Sequence, residues 1–176
     1  MKLQLANMNN RRFNFKKFKE NNAFSIEGHL CIRKRFDGGE TSVIFQDKNL
    51  IVKTGRALVL SNIYTALGSA DPISQAKVGT GGSFDVEGLL LKTPTPDMTN
   101  LYSPQATIAV SKSSEDQNVP SITLVASVDN IQANGLLLNE AGFFSTSGRM
   151  FNIKTFPSTL KTTAFSLDFE WVIKVI

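Results

Sequence analysis

Residues 165–176 read FSLDFEWVIKVI, and the alternation within them decides the fold class. Phe165, Leu167, Phe169, Trp171, Ile173 and Val175 hold successive odd positions, opposite Ser166, Asp168, Glu170, Val172, Lys174 and Ile176. A period of two puts one set on an apolar face and turns the other outward, the pattern of a half-buried strand. A strand of about 11 residues at roughly 3.3 Å each reaches about 36 Å, long enough to cross a sandwich of two sheets from end to end.

The same period recurs at the other end of the chain. Over 24–36 the even positions are Phe24, Ile26, Gly28, Leu30, Ile32, Lys34 and Phe36, while Ser25, Glu27, His29, Cys31, Arg33 and Arg35 alternate with them. Asp37-Gly38-Gly39-Glu40 supplies turn chemistry, so a return strand over 41–46 completes a hairpin. A further apolar run, Asn49-Leu50-Ile51-Val52, ends at Thr54-Gly55. Residues 56–67 then carry Val59, Ile63 and Leu67 at helical spacing, with Leu60 and Tyr64 beside them, and Gly68 and Pro72 stop a helix of about three turns. Residues 76–78 read as a short strand running into Gly79-Thr80-Gly81-Gly82. A long irregular connection with Pro94 and Pro96 follows as far as Pro104. Strands over 105–111 and 121–128 are expected to pair across a polar turn at 112–120. A hairpin over 136–144 and 149–156 turns at Ser145-Thr146-Ser147-Gly148 and closes at Pro157. About eight strands and one short helix predict an all-β, antiparallel, jelly-roll-like β-sandwich over 23–176, preceded by an extended arm over 1–22.

Composition removes several classes of function. Hydrophobic residues at 41% and charged ones at 19% exclude a disordered or collagenous chain. One Cys and one His leave no internal disulfide and no closed zinc site, and only His29 is left to serve a nucleophilic triad. No apolar run approaches the roughly 20 residues of a membrane helix, and the first residues do not form a signal-peptide core, so cytoplasmic synthesis is expected.

The charge is concentrated in the arm. Residues 1–22 hold six basic side chains against Glu20, a net +5, and leave a body with 13 basic and 14 acidic residues, a net −1 that brings the whole chain to +4. Phe13, Phe15 and Phe18 interleave with Arg11, Arg12, Lys16, Lys17 and Lys19. That mixture suits docking on another protein, with a solvated tail and nucleic-acid contact as the other readings. These eight residues are the expected partner-binding set, with nucleic acid disfavoured.

Three constellations resemble chemistry and are better explained structurally. The Gly79–Gly82 cluster lacks the Lys-Ser/Thr sequel of a phosphate-binding loop, since Phe84-Asp85-Val86-Glu87 follows it. His29 and Cys31 diverge from a strand with no carboxylate obviously orienting the ring. Asp168 and Glu170 share a face as paired carboxylates of a glycosidase would, but Trp171, the one Trp, falls on the opposite, core face. No catalytic residue, metal or cofactor is expected.

Taken in order, several segments resemble a family of small structural proteins of tailed bacteriophages, described as tail-fibre, collar or baseplate-associated. Asn49-Leu50-Ile51-Val52-Lys53-Thr54-Gly55 resembles its NLIV-x-x-G opening, and Val78-Gly79-Thr80-Gly81-Gly82 its IGTGT turn. Leu138-Asn139-Glu140-Ala141-Gly142-Phe143-Phe144 resembles L-x-EAGLF, and the stretch from Arg149 to Phe156 resembles LFSRTVF. Phe169-Glu170-Trp171-Val172-Ile173-Lys174-Val175 resembles the closing L-x-I-x-W-x-V-x-V. Residues 85–104 depart from the family in being longer and proline-bearing. The resemblance implies a non-enzymatic virion component assembled in several copies with other tail, collar, baseplate or capsid subunits, an adaptor for fibres among its roles. Alternatives are a capsid decoration protein and a carbohydrate-binding module for host recognition, for which Tyr102 and Phe84 are the exposed-loop aromatics.

Overall fold

The computed structural model describes residues 25–63 and 70–176. The arm over 1–22, Phe24 at the start of the first expected strand, and Tyr64 and Leu67 of the expected helix lie outside the described residues. Among those described, the elements are β1 (Ile26–Phe36), β2 (Thr41–Ile51), α1 (Lys53–Ile63), β3 (Ile73–Gly79), β4 (Pro104–Ala109), β5 (Ser111–Asp116), β6 (Ser121–Val128), β7 (Leu137–Ser145), β8 (Asn152–Leu160) and β9 (Phe165–Val175). Every strand pair is antiparallel, in the order β4-β3-β7-β8-β2-β1-β9-β6-β5. The fold is therefore the all-β antiparallel sandwich with one short helix that the alternation predicts.

The halves of the sandwich meet at two seams. β2 pairs with β1 along most of its length and then hands Leu50 and Ile51 to Ile153 and Asn152 of β8. At the opposite seam only Val110 separates β4 from β5, and its amide donates to the Ser74 carbonyl at 3.0 Å. One stretch of chain thus leaves the edge of one half and joins the edge of the other, and the sheet comes close to a flattened barrel.

The core lies between the halves. Trp171 of β9 meets Phe143 of β7 with ring centroids 4.1 Å apart, and Phe169 meets Phe156 of β8 at 6.1 Å. Leu30, Ile32, Leu124 and Ala126 from one half face Ala76, Val78 and Leu138 from the other, all of them buried. Each large side chain so buried contributes about 1.5–3 kcal/mol. A smaller cluster of Val52, Leu101, Phe144, Met150 and Ile153 includes Leu101 of the long connection, so β7 is buried on both faces. That is why residues 138–144 show no alternation, with Asn139 and Glu140 buried alongside the apolar residues.

Several sequence expectations need correcting. The stretch expected as a turn at 112–120 contains most of β5, and β6 pairs with β5 and β9, whereas β4 pairs with β3. Every side chain of β5 is exposed, so no buried face imposes a readable pattern. The strand expected to end at Gln46 runs on through Asp47 and Lys48, because the ladder with β1 continues there, Asp47 opposite Leu30 and Lys48 opposite His29. Pro157 does not close its strand: it sits where the β7–β8 register shifts between Leu138 and Glu140, an irregularity in which the missing amide costs no ladder bond.

The helix begins at Lys53, three residues earlier than the spacing predicts. Val52 accepts the Arg56 amide at 3.1 Å and the Thr54 hydroxyl donates to the Met150 carbonyl at 2.7 Å, which fixes its first turn against the β7–β8 turn. Gly55 belongs to that turn because a Cβ there would collide with the Phe151 carbonyl. Gly55→Ala is expected to destabilise the domain by about 1–3 kcal/mol, read as a lowered midpoint in urea, since the obstacle is backbone and cannot rotate away.

Candidate functional site

β3 ends at Gly79 and the chain turns through Thr80-Gly81-Gly82, the cluster that resembles a phosphate cradle. β7 supplies what fills it. The buried Glu140 carboxylate accepts the Gly81 amide at 3.0 Å and the Ser103 amide at 2.7 Å on Oε1, and the Tyr102 amide at 2.8 Å on Oε2. Its neighbour Asn139 accepts the Gly82 amide at 2.7 Å and donates to the Ser83 and Ser158 hydroxyls. Amides that could cradle an external anion are thus satisfied by the chain's own carboxylate. A Cβ on Gly79 or Gly82 would strike the Ser103 or Asn139 carbonyl, so the close approach requires glycine at both.

This anchor carries a small lobe at residues 83–91. The Lys92 amide donates to Gly82 and the Phe84 amide to Leu90, each at 2.8 Å, closing a narrow ribbon. The Asp85 carboxylate accepts the Leu89 and Leu90 amides at 2.9 and 3.1 Å and ties the tip. Although the lobe is tied down, Phe84, Val86, Leu89 and Leu90 are between 61% and 81% exposed. The lobe thus holds four apolar side chains in solvent on a fixed base.

The two loop aromatics singled out from the sequence meet here. The Lys92 ammonium lies 5.7 Å from the centre of the Phe84 ring and 4.9 Å from that of Tyr102, whose hydroxyl donates to the Thr93 carbonyl at 3.2 Å. Burial, and secondarily the Glu140 charge, raises the pKa of the Tyr102 hydroxyl.

No family model, curated protein or solved structure matches this chain.

The remaining sequence candidates have structural partners. Asp168 and Glu170 project from the outer face of β9 and are matched by arginines of β1. Arg33 reaches Glu170 at 2.6 Å, and Arg35 reaches Asp168 at 2.8 Å. The Ser127 hydroxyl of β6 adds a third hydrogen bond to Asp168 at 2.6 Å. Burial alone would raise the Asp168 pKa, but the bonds from Arg35 and Ser127 outweigh it and hold the carboxyl below its ordinary value. A hydrolytic pair needs the reverse for one member, a carboxyl kept protonated. Arg35 is nearly half exposed at 47%, while Asp168 is 21% exposed and keeps the Ser127 bond, so Arg35→Ala is expected to cost about 1 kcal/mol in thermal melts. On the same face His29 lies 3.6 Å from Glu27, and Cys31 is buried, with its thiol pKa raised by that burial.

A second carboxylate hub sits where residues 70–72 meet the β7–β8 turn. Asp71 accepts the Ser147 amide at 2.8 Å, the Ser147 hydroxyl at 2.6 Å and Arg149 Nε at 2.9 Å. Burial opposes ionisation, yet these donors hold the carboxyl far below the usual range. Its stabilisation is therefore complete above the unfolded value near ~4 and is lost as pH falls through the folded one. Asp71→Asn is expected to cost about 1–3 kcal/mol at neutral pH and to flatten the fall in melting temperature below about pH 4.

The eight arm residues predicted to bind a partner, Arg11 to Phe13, Phe15 and Lys16 to Lys19, lie outside the described residues. The arm's root is visible: the Ser25 amide donates to the Ile176 carbonyl at 3.0 Å and the Ile176 amide returns the bond at 2.9 Å. Among the described residues no helix is long and apolar enough to cross a membrane, and no group of three or more His, Cys, Asp or Glu side chains converges for a metal.

Proposed function

We propose that the chain is a non-enzymatic structural protein of a tailed-bacteriophage virion. It is made in the bacterial cytoplasm and assembles, in several copies, in the tail, collar or baseplate region as an adaptor for fibres. Its basic arm is the docking element. One observation carries the reading: the segments that bear the family resemblance, far apart in sequence, meet in space as structural contacts. Glu140 of the LNEAGFF segment grips Gly81 of the VGTGG turn, and Gly55 after NLIV packs on the carbonyl of Phe151. The polar groups that resemble chemistry are consumed internally, whereas the lobe at 83–91 offers fixed apolar side chains to a neighbour. Polar residues engaged in holding the shape and an exposed apolar lobe suit an assembly component better than a catalyst.

A capsid decoration protein is the same kind of object at another place on the particle. Mass spectrometry of purified particles, with heads and tails fractionated, tests the proposal. The chain is expected in the tail fraction. Recovery in heads alone would favour decoration, and absence from every particle would overturn the reading. The carbohydrate-binding alternative draws on the meeting of Phe84, Lys92 and Tyr102, and binding to a glycan array that Phe84→Ala removes would support it.

A further inference from the structure

Three hollows adjoin one another at the end of the sandwich where β1 begins. The first, about 320 Å³, is bounded by Ser25, Ile26, Arg56, Val59 and Leu60. The second, about 340 Å³, shares Val59 and lies between α1 and the β4–β5 seam, walled by Ile73, Val110, Ile122, Leu124 and Ile173. The third, about 510 Å³, shares Ile122 and Ile173 and reaches Glu115 and Asp116. Together they form a groove that is apolar in its middle, with Arg56 on one side and Asp116 beside the Lys112–Glu115 pair on the other, and it touches Ser25, the residue from which the arm departs.

The arm has the converse chemistry. Phe13, Phe15 and Phe18 would fill apolar hollows, while a basic side chain of the arm would meet Asp116, which lies beside the Lys112–Glu115 pair. We infer that the groove receives residues 13–18 from the arm of a second copy of this chain, so that copies are joined arm to groove.

This inference rests on the arm being the docking element, as proposed above. Reach favours the neighbour. The 12 steps from Phe13 to Ser25 extend up to about 40 Å, close to the diameter of roughly 35–40 Å that compact packing gives a domain of this size. A groove whose mouth adjoins Ser25 would require the chain's own arm to double back at once. The contact is heterologous, a different surface on each partner, and repeated it builds a ring or a filament.

Cysteine cross-linking of the full-length chain tests the contact. Lys112 borders the groove, is exposed, and is held only by a surface pair with Glu115 at 3.0 Å, so Lys112→Cys should leave the fold intact. Cys31 is buried and stays out of the reaction. Mixing Phe15→Cys chains with Lys112→Cys chains under mild oxidation is expected to give at least about tenfold more covalent dimer than either variant alone, and the double variant should give a ladder. In a separate measurement, replacing Phe13, Phe15 and Phe18 by serine is expected to reduce the particle mass by light scattering to that of one chain without shifting the melting temperature.

Dimer no greater than in the single variants, or a double variant that closes only within one chain, would overturn the inference, as would an unchanged mass in the triple variant. If cross-linking fails while the chain is present in particles, the groove contact falls and the virion reading stands. If cross-links form but particles lack the chain, the virion reading falls and the arm-to-groove contact stands.

Discussion

Glu140→Ala is expected to destabilise the domain by about 3–5 kcal/mol, because three backbone amides lose their acceptor at once and each orphaned group costs about 1–3 kcal/mol. Gly81, Tyr102 and Ser103 donate those amides from two separate stretches of the long connection, so both ends of residues 80–103 come loose together. Glu140→Gln keeps the volume but replaces one acceptor oxygen with a donor that faces an amide, and should cost about 2–3 kcal/mol. Urea unfolding measures both. Hydrogen exchange gives the sharper readout: the Phe84 and Lys92 amides should lose protection in the alanine variant before the strands do. Wild-type protection at those amides in Glu140→Ala would remove the carboxylate from its role as anchor, and with it the case for a preorganised lobe.

Trp171→Ala should be of similar size, about 3–5 kcal/mol, for a different reason. Trp171 is fully buried, contacts Phe143 across the sandwich and stacks 5.9 Å from Phe169 on its own strand. Its removal opens a cavity between two strands locked by ladders on both sides, so the walls cannot collapse into it. Trp171→Phe separates packing from polarity. Among the described residues the buried indole Nε1 has no hydrogen-bond partner, so phenylalanine sacrifices no bond to them and leaves a smaller void. Its cost should be clearly lower than that of alanine, and equal losses for the two variants would contradict a packing role.

Where one face of a strand is buried and the other wet, the sequence is legible. Residues 165–176 and 26–36 show it: their alternation predicts β9 and β1, which pair along their whole length. Where that asymmetry is missing, legibility fails. β5 has both faces in water and reads as a turn, while β7 has both faces covered and shows no period. The helix start is hidden because Gly55 resembles a breaker, and its real constraint, the carbonyl of Phe151, lies about a hundred residues away in sequence.

The candidate site was half legible. The glycine turn and the two loop aromatics can be picked out one by one, but their common anchor is missed. A lone Glu in the apolar run Leu136 to Phe144 is the available signal, since a buried carboxylate must find donors, and a glycine-rich turn is a natural source of them. The carboxylate pair Asp168 and Glu170 illustrates the opposite case. Arg33 and Arg35 alternate on the same outward face of their strand; the register sets them opposite Asp168 and Ser166, and the ion pairs run along the diagonal, Arg33 to Glu170 and Arg35 to Asp168, so register narrows the partners without fixing them.

The pairing of Ser25 with Ile176 has a mechanical side. Residues 25 and 176 sit at the same end of the antiparallel ladder between β1 and β9, so tension applied between them would load the first rung alone. It would then pass to the next rung, peeling the strands apart at low force instead of shearing all eleven registered pairs together. A larger structure that pulls on this domain through the arm would do best to hold it at some point other than the end of β9.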